Sequence, residues 1–208
     1  MAAYLLFVRQ IMKSIIKIAI TGGVCSGKTT ALPQIYDRYK DKYNCIIVPE
    51  SATIVCEKGL DCRDSGEYVL FQDRVIAQQL ESEANAILKG EDSEKPTLII
   101  LDRGLLDSFA YIGEAARELL EKRGIDIESL YTRYDGVIHL VTAAKGAEEY
   151  YTTANNAART ETAHEARELD DKVLRAWQGC KNHFVIENKG DFKRKLFDMF
   201  EAIEEICK

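Results

Sequence analysis

Residues 15–29 read IIKIAITGGVCSGKT, an apolar, β-branched run that breaks into glycines and ends in Lys-Thr. Gly22, Gly27, Lys28 and Thr29 fit G-x-x-x-x-G-K-[ST], the pattern of a phosphate-binding loop. Gly22, Gly23 and Gly27 let the backbone curl so that successive N–H groups point at an anion. The stretch Gly22, Gly23, Val24, Cys25, Ser26, Gly27, Lys28, Thr29 and Thr30 is therefore expected to wrap a nucleotide's phosphates. Lys28 supplies charge for the outer phosphates, and Thr29 offers a hydroxyl to Mg²⁺. The helix starting near Lys28 aims its positive end at the same place. The bland alternative is a tight strand-to-helix turn with no ligand, and the Lys-Thr pair argues against it.

Working outward, the chain has 208 residues, enough for one α/β domain with a full core. Three prolines and no Ser/Gly-rich stretch offer no linker, so residues 1–208 read as a single nucleotide-binding domain. Residues 1–14 read as an N-terminal extension, with Met12 an alternative start. The net charge of −6 disfavours nucleic acid as the main partner. Six cysteines are scattered without a C-x-x-C pair, which suits reduced thiols in a cytoplasmic protein. No segment is long and apolar enough to cross a membrane, because Arg9, Lys13 and Lys17 interrupt the N-terminal apolar stretch.

Five short β-type runs follow one another: Ile15–Thr21, Cys45–Pro49, Thr97–Leu101, Val137–Val141 and His183–Glu187. Helical patterns lie between them over Lys28–Tyr39, Glu67–Lys89, Leu105–Arg123, Thr162–Trp177 and Phe192–Ile206. Asp126 caps a short helix running through Tyr134. This alternation predicts an α/β P-loop NTPase fold, a kinase-like five-stranded parallel sheet with helices on both faces. Sites in such sheets lie at the carboxyl ends of the strands.

After the second strand stands Glu50, a candidate general base or a holder of Mg²⁺ through water. The alternative is a surface Glu that begins a helix. After the third strand stand Asp102 and Arg103. An Asp ending an apolar strand is the Walker B pattern, which holds Mg²⁺ opposite the loop threonine. Ring-forming ATPases put a water-activating Glu next, and Ras-type GTPases use D-x-x-G; neither signature is present. Arg103 is thus a candidate to orient a substrate or phosphate, and Asp107 either binds substrate or caps a helix. Between the last two strands, residues of about 145–170 are polar and read as a lid rather than core. Arg159 and Arg167, two helical turns apart, are candidates to meet charge on the γ-phosphoryl oxygens. A solvated charged helix is the alternative there.

The last strand is followed by Asn188-Lys189-Gly190-Asp191, a literal match to the guanine-reading N-K-x-D. In GTPases that motif precedes a further strand; here only a helix follows. The loop therefore reads as a turn with Asp191 as N-cap, while Asn188 and Lys189 stay candidates to touch the base. On this position ATP is expected to bind at least as well as GTP.

The chain resembles the P-loop domain shared by the TRPL-translocation-defect protein family and the nicotinamide-riboside kinase part of NadR, an AAA-type ATP/GTP-binding domain. The matching stretches are TGGVCSGKTT, VPESAT, LDRGLLDSFAY, the long block from YDGVIHLVTAAKG to DDKVLRAW, and FVIEN with Phe192 and Lys195 behind it. They run from about residue 17 to 197. The resemblance implies a kinase-like fold binding ATP or GTP, with Lys28 and Thr29 on phosphate and Mg²⁺, Asp102 as Walker B acid, and Arg159 and Arg167 as lid arginines. The C-terminal phosphate-ligand domain of the larger translocation-defect proteins has no room here. The expected function is Mg²⁺-dependent transfer of a γ-phosphate to a small-molecule hydroxyl, as in nucleoside kinases. The alternative is a slow NTPase serving as a nucleotide-switched regulatory module.

Overall fold

The computed structural model describes residues 15–59, 67–151 and 162–208. Among them, five strands form one all-parallel sheet: β1 Ile15–Thr21, β2 Asn44–Val48, β3 Thr97–Asp102, β4 Gly136–Leu140 and β5 His183–Ile186. Their order is β2-β3-β1-β4-β5. The strand carrying the glycine loop is thus central, flanked by β3 and β4. The helices are α1 Lys28–Tyr39, α2 Ser51–Glu57, α3 Tyr68–Glu91, α4 Asp107–Ile112, α5 Glu114–Glu121, α6 Ile127–Leu130, α7 Ala163–Ala176 and α8 Phe192–Ile206.

The strands are apolar at consecutive positions because both faces are covered. Ile18, Ile20, Leu98 and Ile100 face one way, against Ala31 and Ile35 of α1 and Met199 and Ile203 of α8. Ala19, Ile99 and Leu101 face the other way, against Ile76 of α3, Leu120 of α5, Val173 of α7 and Trp177. Each fully buried Ile or Leu contributes roughly 1.5–3 kcal/mol. A charge at Ile20 or Ile100 would be among the costliest single changes to this frame.

Three expectations need correction. Leu105–Arg123 is two helices, because Gly113 adopts φ 55° and ψ −133° between α4 and α5. The Asp126-capped helix ends at Leu130, short of Tyr134. The largest correction concerns the polar stretch before β5. Its second half is α7, capped by Thr162 and Glu165 in a reciprocal box, and it packs against α4 and into the core. Ala166, Asp170, Val173 and Trp177 form a fully buried stripe at helical spacing. Few apolar residues are needed there because Asp170 replaces apolar contact with hydrogen bonds.

Candidate functional site

The register places Ile20 beside Asp102 across β1 and β3, and Thr21 beside His139 across β1 and β4. The loops after β1, β3 and β4 therefore meet at one carboxyl edge. In the glycine loop, Gly22, Cys25 and Gly27 all have positive φ. Thr142 Oγ1 donates to Val24 O, and Ala143 N–H donates to Cys25 O, which ties the loop to the end of β4. Lys28 is 8 % exposed. Its ammonium donates to Gly22 O and Gly23 O at 3.1 Å each and to Ser26 Oγ at 3.0 Å. Burial first, and the nearby Arg103 second, lower its pKa to about 8. Thr29 and Thr30 are exposed at the first turn of α1.

Arg103, with φ 74°, turns its side chain back under the loop. Its Nε donates to Glu50 Oε1 at 2.6 Å, and its Nη1 to Gly22 O at 3.0 Å. Asp107 Oδ1 lies 3.3 Å from the same Nη1. The guanidinium also lies over the Tyr111 ring, 5.7 Å from its centre. Burial acts to raise the Glu50 pKa, yet Arg103 and Lys28 outweigh it and hold the carboxyl at about 2. Glu50 is thus an ion-pair partner first and a weak proton acceptor. Asp107 takes Thr21 Oγ1, Gly104 N–H and Trp177 Nε1–H besides Arg103. So many donors make it an organiser of the strand ends.

Asp102 is buried and its Oδ1 has no hydrogen-bond partner among the described residues. Burial, the leading influence, raises its pKa. An orphaned carboxylate oxygen at a strand end suits a hard cation. Among the described residues no cluster of three or more His, Cys, Asp or Glu could hold a metal. A lone carboxylate and a nearby threonine fit Mg²⁺, which is held by one or two protein oxygens plus phosphates and water. Thr29 and Asp102 line the same clefts.

The sequence pattern did not disclose Asp170. It lies fully buried on α7, and its Oδ1 accepts from Gly23 N–H at 2.9 Å and Thr142 N–H at 3.2 Å. His139 Nε2 is 3.1 Å from that oxygen, and Lys145 Nζ reaches Oδ2 at 2.9 Å. A Cβ on Gly23 would stand 2.9 Å from the Asp170 side chain, so only glycine permits the approach. Arg167 points elsewhere: its Nε donates to Ala144 O and its Nη2 is 3.6 Å from Glu148. It rests beside the cleft rather than in its wall. Arg159 lies outside the described residues.

At the opposite end, Asn188 lines the cleft, but its amide is used up. Nδ2 donates to Thr142 O and Lys145 O, while Oδ1 accepts from Lys195 Nζ. Lys189 pairs with Glu187 at the surface and does not line the cleft. Asp191 caps α8 through the Arg194 N–H. Lys28, Thr29, Glu50, Asp102, Arg103, Asp107 and Asn188 line one cleft of about 1470 Å³. Asn188 and Phe192 follow β5 at one edge of the sheet, while Tyr68, Phe71 and Gln72 lie on α3 beside α2, which follows β2 at the other edge; Glu50 is linked through Arg103 to the glycine loop between them.

The model of an AAA-domain family matches residues 17–195. The chain belongs to that AAA-domain family. The match spans the glycine loop, Asp102, α7 and the start of α8, so it embraces the whole cleft. AAA P-loop domains bind nucleotide, typically with Mg²⁺. No curated protein matches the chain. Among the described residues, no helix of this AAA domain is long and apolar enough to cross a membrane.

Proposed function

We propose that this AAA domain transfers the γ-phosphate of ATP or GTP to a hydroxyl on a small molecule, in the manner of a nucleoside kinase. The supporting observation is the second end of the cleft. Single small-molecule sites occupy about 300–1,000 Å³, and this cleft is larger at about 1470 Å³. Its far wall supports a second ligand site in this reading. Tyr68 and Phe71 stack there at 6.3 Å and 20°, with Gln72 one position on. A switch that binds nucleotide alone has no use for that wall.

In this reading Lys28 and the loop N–H groups hold the phosphates. Thr29 and Asp102 are the residues that would hold Mg²⁺. Bound there, Mg²⁺ neutralises charge building on the phosphate oxygens. Glu50 and Arg103 stand at the junction of the two ends. Phosphoryl transfer passes through a loose transition state that asks mainly for positioning. An ionised Glu50 fixed by Arg103 suits orientation of the acceptor hydroxyl better than early proton removal. Arg159 and Arg167 are assigned to the lid by sequence alone.

The test is transfer of radiolabelled γ-phosphate across a panel of nucleosides and vitamin precursors. The expected result is label in an organic product with at least one acceptor. Label found only in free phosphate, with every acceptor, overturns the kinase reading in favour of a slow NTPase.

A further inference from the structure

The aromatic ring at the start of α8 has no role in the phosphate chemistry, yet its placement is informative. Eight large hydrophobic side chains are exposed among the described residues, and only Tyr150 and Phe192 of these line the main cleft. Phe192 is 37 % exposed. Its ring edge lies against Gly27: a Cβ on that glycine, which has φ 94°, would meet Cε2 at 2.5 Å. The ring is thus fixed beside the last loop residue before Lys28, on a helix that follows β5, the sheet edge opposite β2 and its Glu50. A nucleotide whose phosphates run along the loop brings its base to this end.

The Asn188 carboxamide, the Lys189 ammonium and one Asp191 oxygen are engaged within the protein. The carboxamide of Asn188 spends both N–H bonds on Thr142 O and Lys145 O and its oxygen on Lys195. Asp191 Oδ1 accepts from Arg194 N–H at the head of α8. Lys189 turns away to Glu187. Stacking on an aromatic face tolerates any base, because every base has a π-face.

We propose that Phe192 is the platform on which the nucleotide's base stacks, and that the Asn188–Asp191 motif serves the fold rather than guanine recognition. This rests on the cleft being the nucleotide site. It predicts a base-tolerant enzyme, with ATP and GTP affinities within about tenfold of each other.

The experiment is calorimetric titration of the full chain with Mg²⁺-ATP, Mg²⁺-GTP and inorganic tripolyphosphate, which carries no base. Phe192→Leu keeps apolar packing on Gly27 without a ring face, and Phe192→Tyr restores the face. Expected for Phe192→Leu is a loss of about tenfold for ATP and GTP alike, with tripolyphosphate unchanged and Phe192→Tyr near wild type. An equal loss for tripolyphosphate overturns the platform, making Phe192 a support for the loop. A wild-type GTP preference above tenfold that disappears in Asp191→Ala overturns the second half. If wild type binds none of the three ligands, the nucleotide-site reading itself has failed, a result separate from either.

Discussion

The Asp170 carboxylate lies 2.9 Å from the Gly23 nitrogen, so α7 is bonded directly to the phosphate loop. The Gly23 peptide is held from both sides: its N–H donates to Asp170 and its carbonyl accepts from Lys28. Asp170 is therefore a positioning residue for the loop lysine. Asp170→Asn takes the carboxylate from His139, leaves Lys145 with Asp171 as its one charged partner among the described residues, and puts amide hydrogens toward donors. The expected loss of stability is roughly 1–3 kcal/mol at neutral pH.

That loss carries a pH signature. Burial pushes the Asp170 carboxyl up, but His139, Lys145 and Gly23 N–H outweigh it and hold it at about 2, below its ordinary 3.8. Its ionised form thus contributes stability fully above about pH 4, and that contribution is lost as pH falls through 2. About 2 kcal/mol of the gap between wild type and Asp170→Asn should close over this range. Urea unfolding at several pH values checks it. A gap that stays constant down to about pH 2 would assign the effect to packing.

Lys28 gives a prediction of opposite sense. Lys28→Ala should cost roughly 2–5 kcal/mol of nucleotide affinity, because phosphate charge would lose its buried partner. The lysine pKa is already lowered to about 8, and phosphate stabilises only the ammonium form. Wild-type affinity should hold steady below about pH 8 and weaken above it, while Lys28→Ala shows no such slope. Calorimetry across this range decides the matter, and parallel profiles for the two proteins would remove Lys28 from the phosphate site.

Much of this arrangement was legible in the sequence. The five strands and the start of α1 at Lys28 follow from apolar runs and the glycine loop, which are local signals. Glu50, Asp102 and Arg103 were found because each sits where a parallel strand ends. Asp170 and His139 were missed for a physical reason. A buried carboxylate on an otherwise charged helix has the same periodicity as a solvated one, and its partners lie 147 and 31 residues away in the chain. The signal that could have found it is the stripe Ala166, Asp170, Val173, Trp177, apolar but for one acid. Asn188 lines the cleft, but its amide bonds to the fold, and no local pattern in the sequence shows that.

The Glu50–Arg103 pair bears on the pH dependence of turnover. With Glu50 held at about 2, catalysis should show no acid limb arising from it down to about pH 4. Glu50→Gln keeps the shape but removes the charge that faces Arg103, and turnover should fall on the order of a hundredfold through misplacement of the acceptor. Nucleotide affinity should change little. Rate profiles with saturating acceptor check both points; an acid limb near pH 6 that vanishes in Glu50→Gln would make Glu50 a true general base.

Asp102 separates function from stability. Its Oδ1 is buried without a hydrogen-bond partner among the described residues, a costly arrangement for a fold to keep. Asp102→Asn removes the buried charge while preserving size. Without ligand, the variant should be as stable as wild type or more so, by about 1 kcal/mol. Its nucleotide affinity in the absence of Mg²⁺ should not fall, since a negative charge near the phosphates is gone. What it should lose is the gain in affinity and turnover that Mg²⁺ gives the wild type, because Thr29 alone offers one neutral oxygen. Thermal unfolding without ligand and titrations with and without Mg²⁺ measure the two effects separately. A loss of more than about 2 kcal/mol of unliganded stability would mean that Asp102 is held for structure, and the metal site would have to be sought elsewhere on the strand ends.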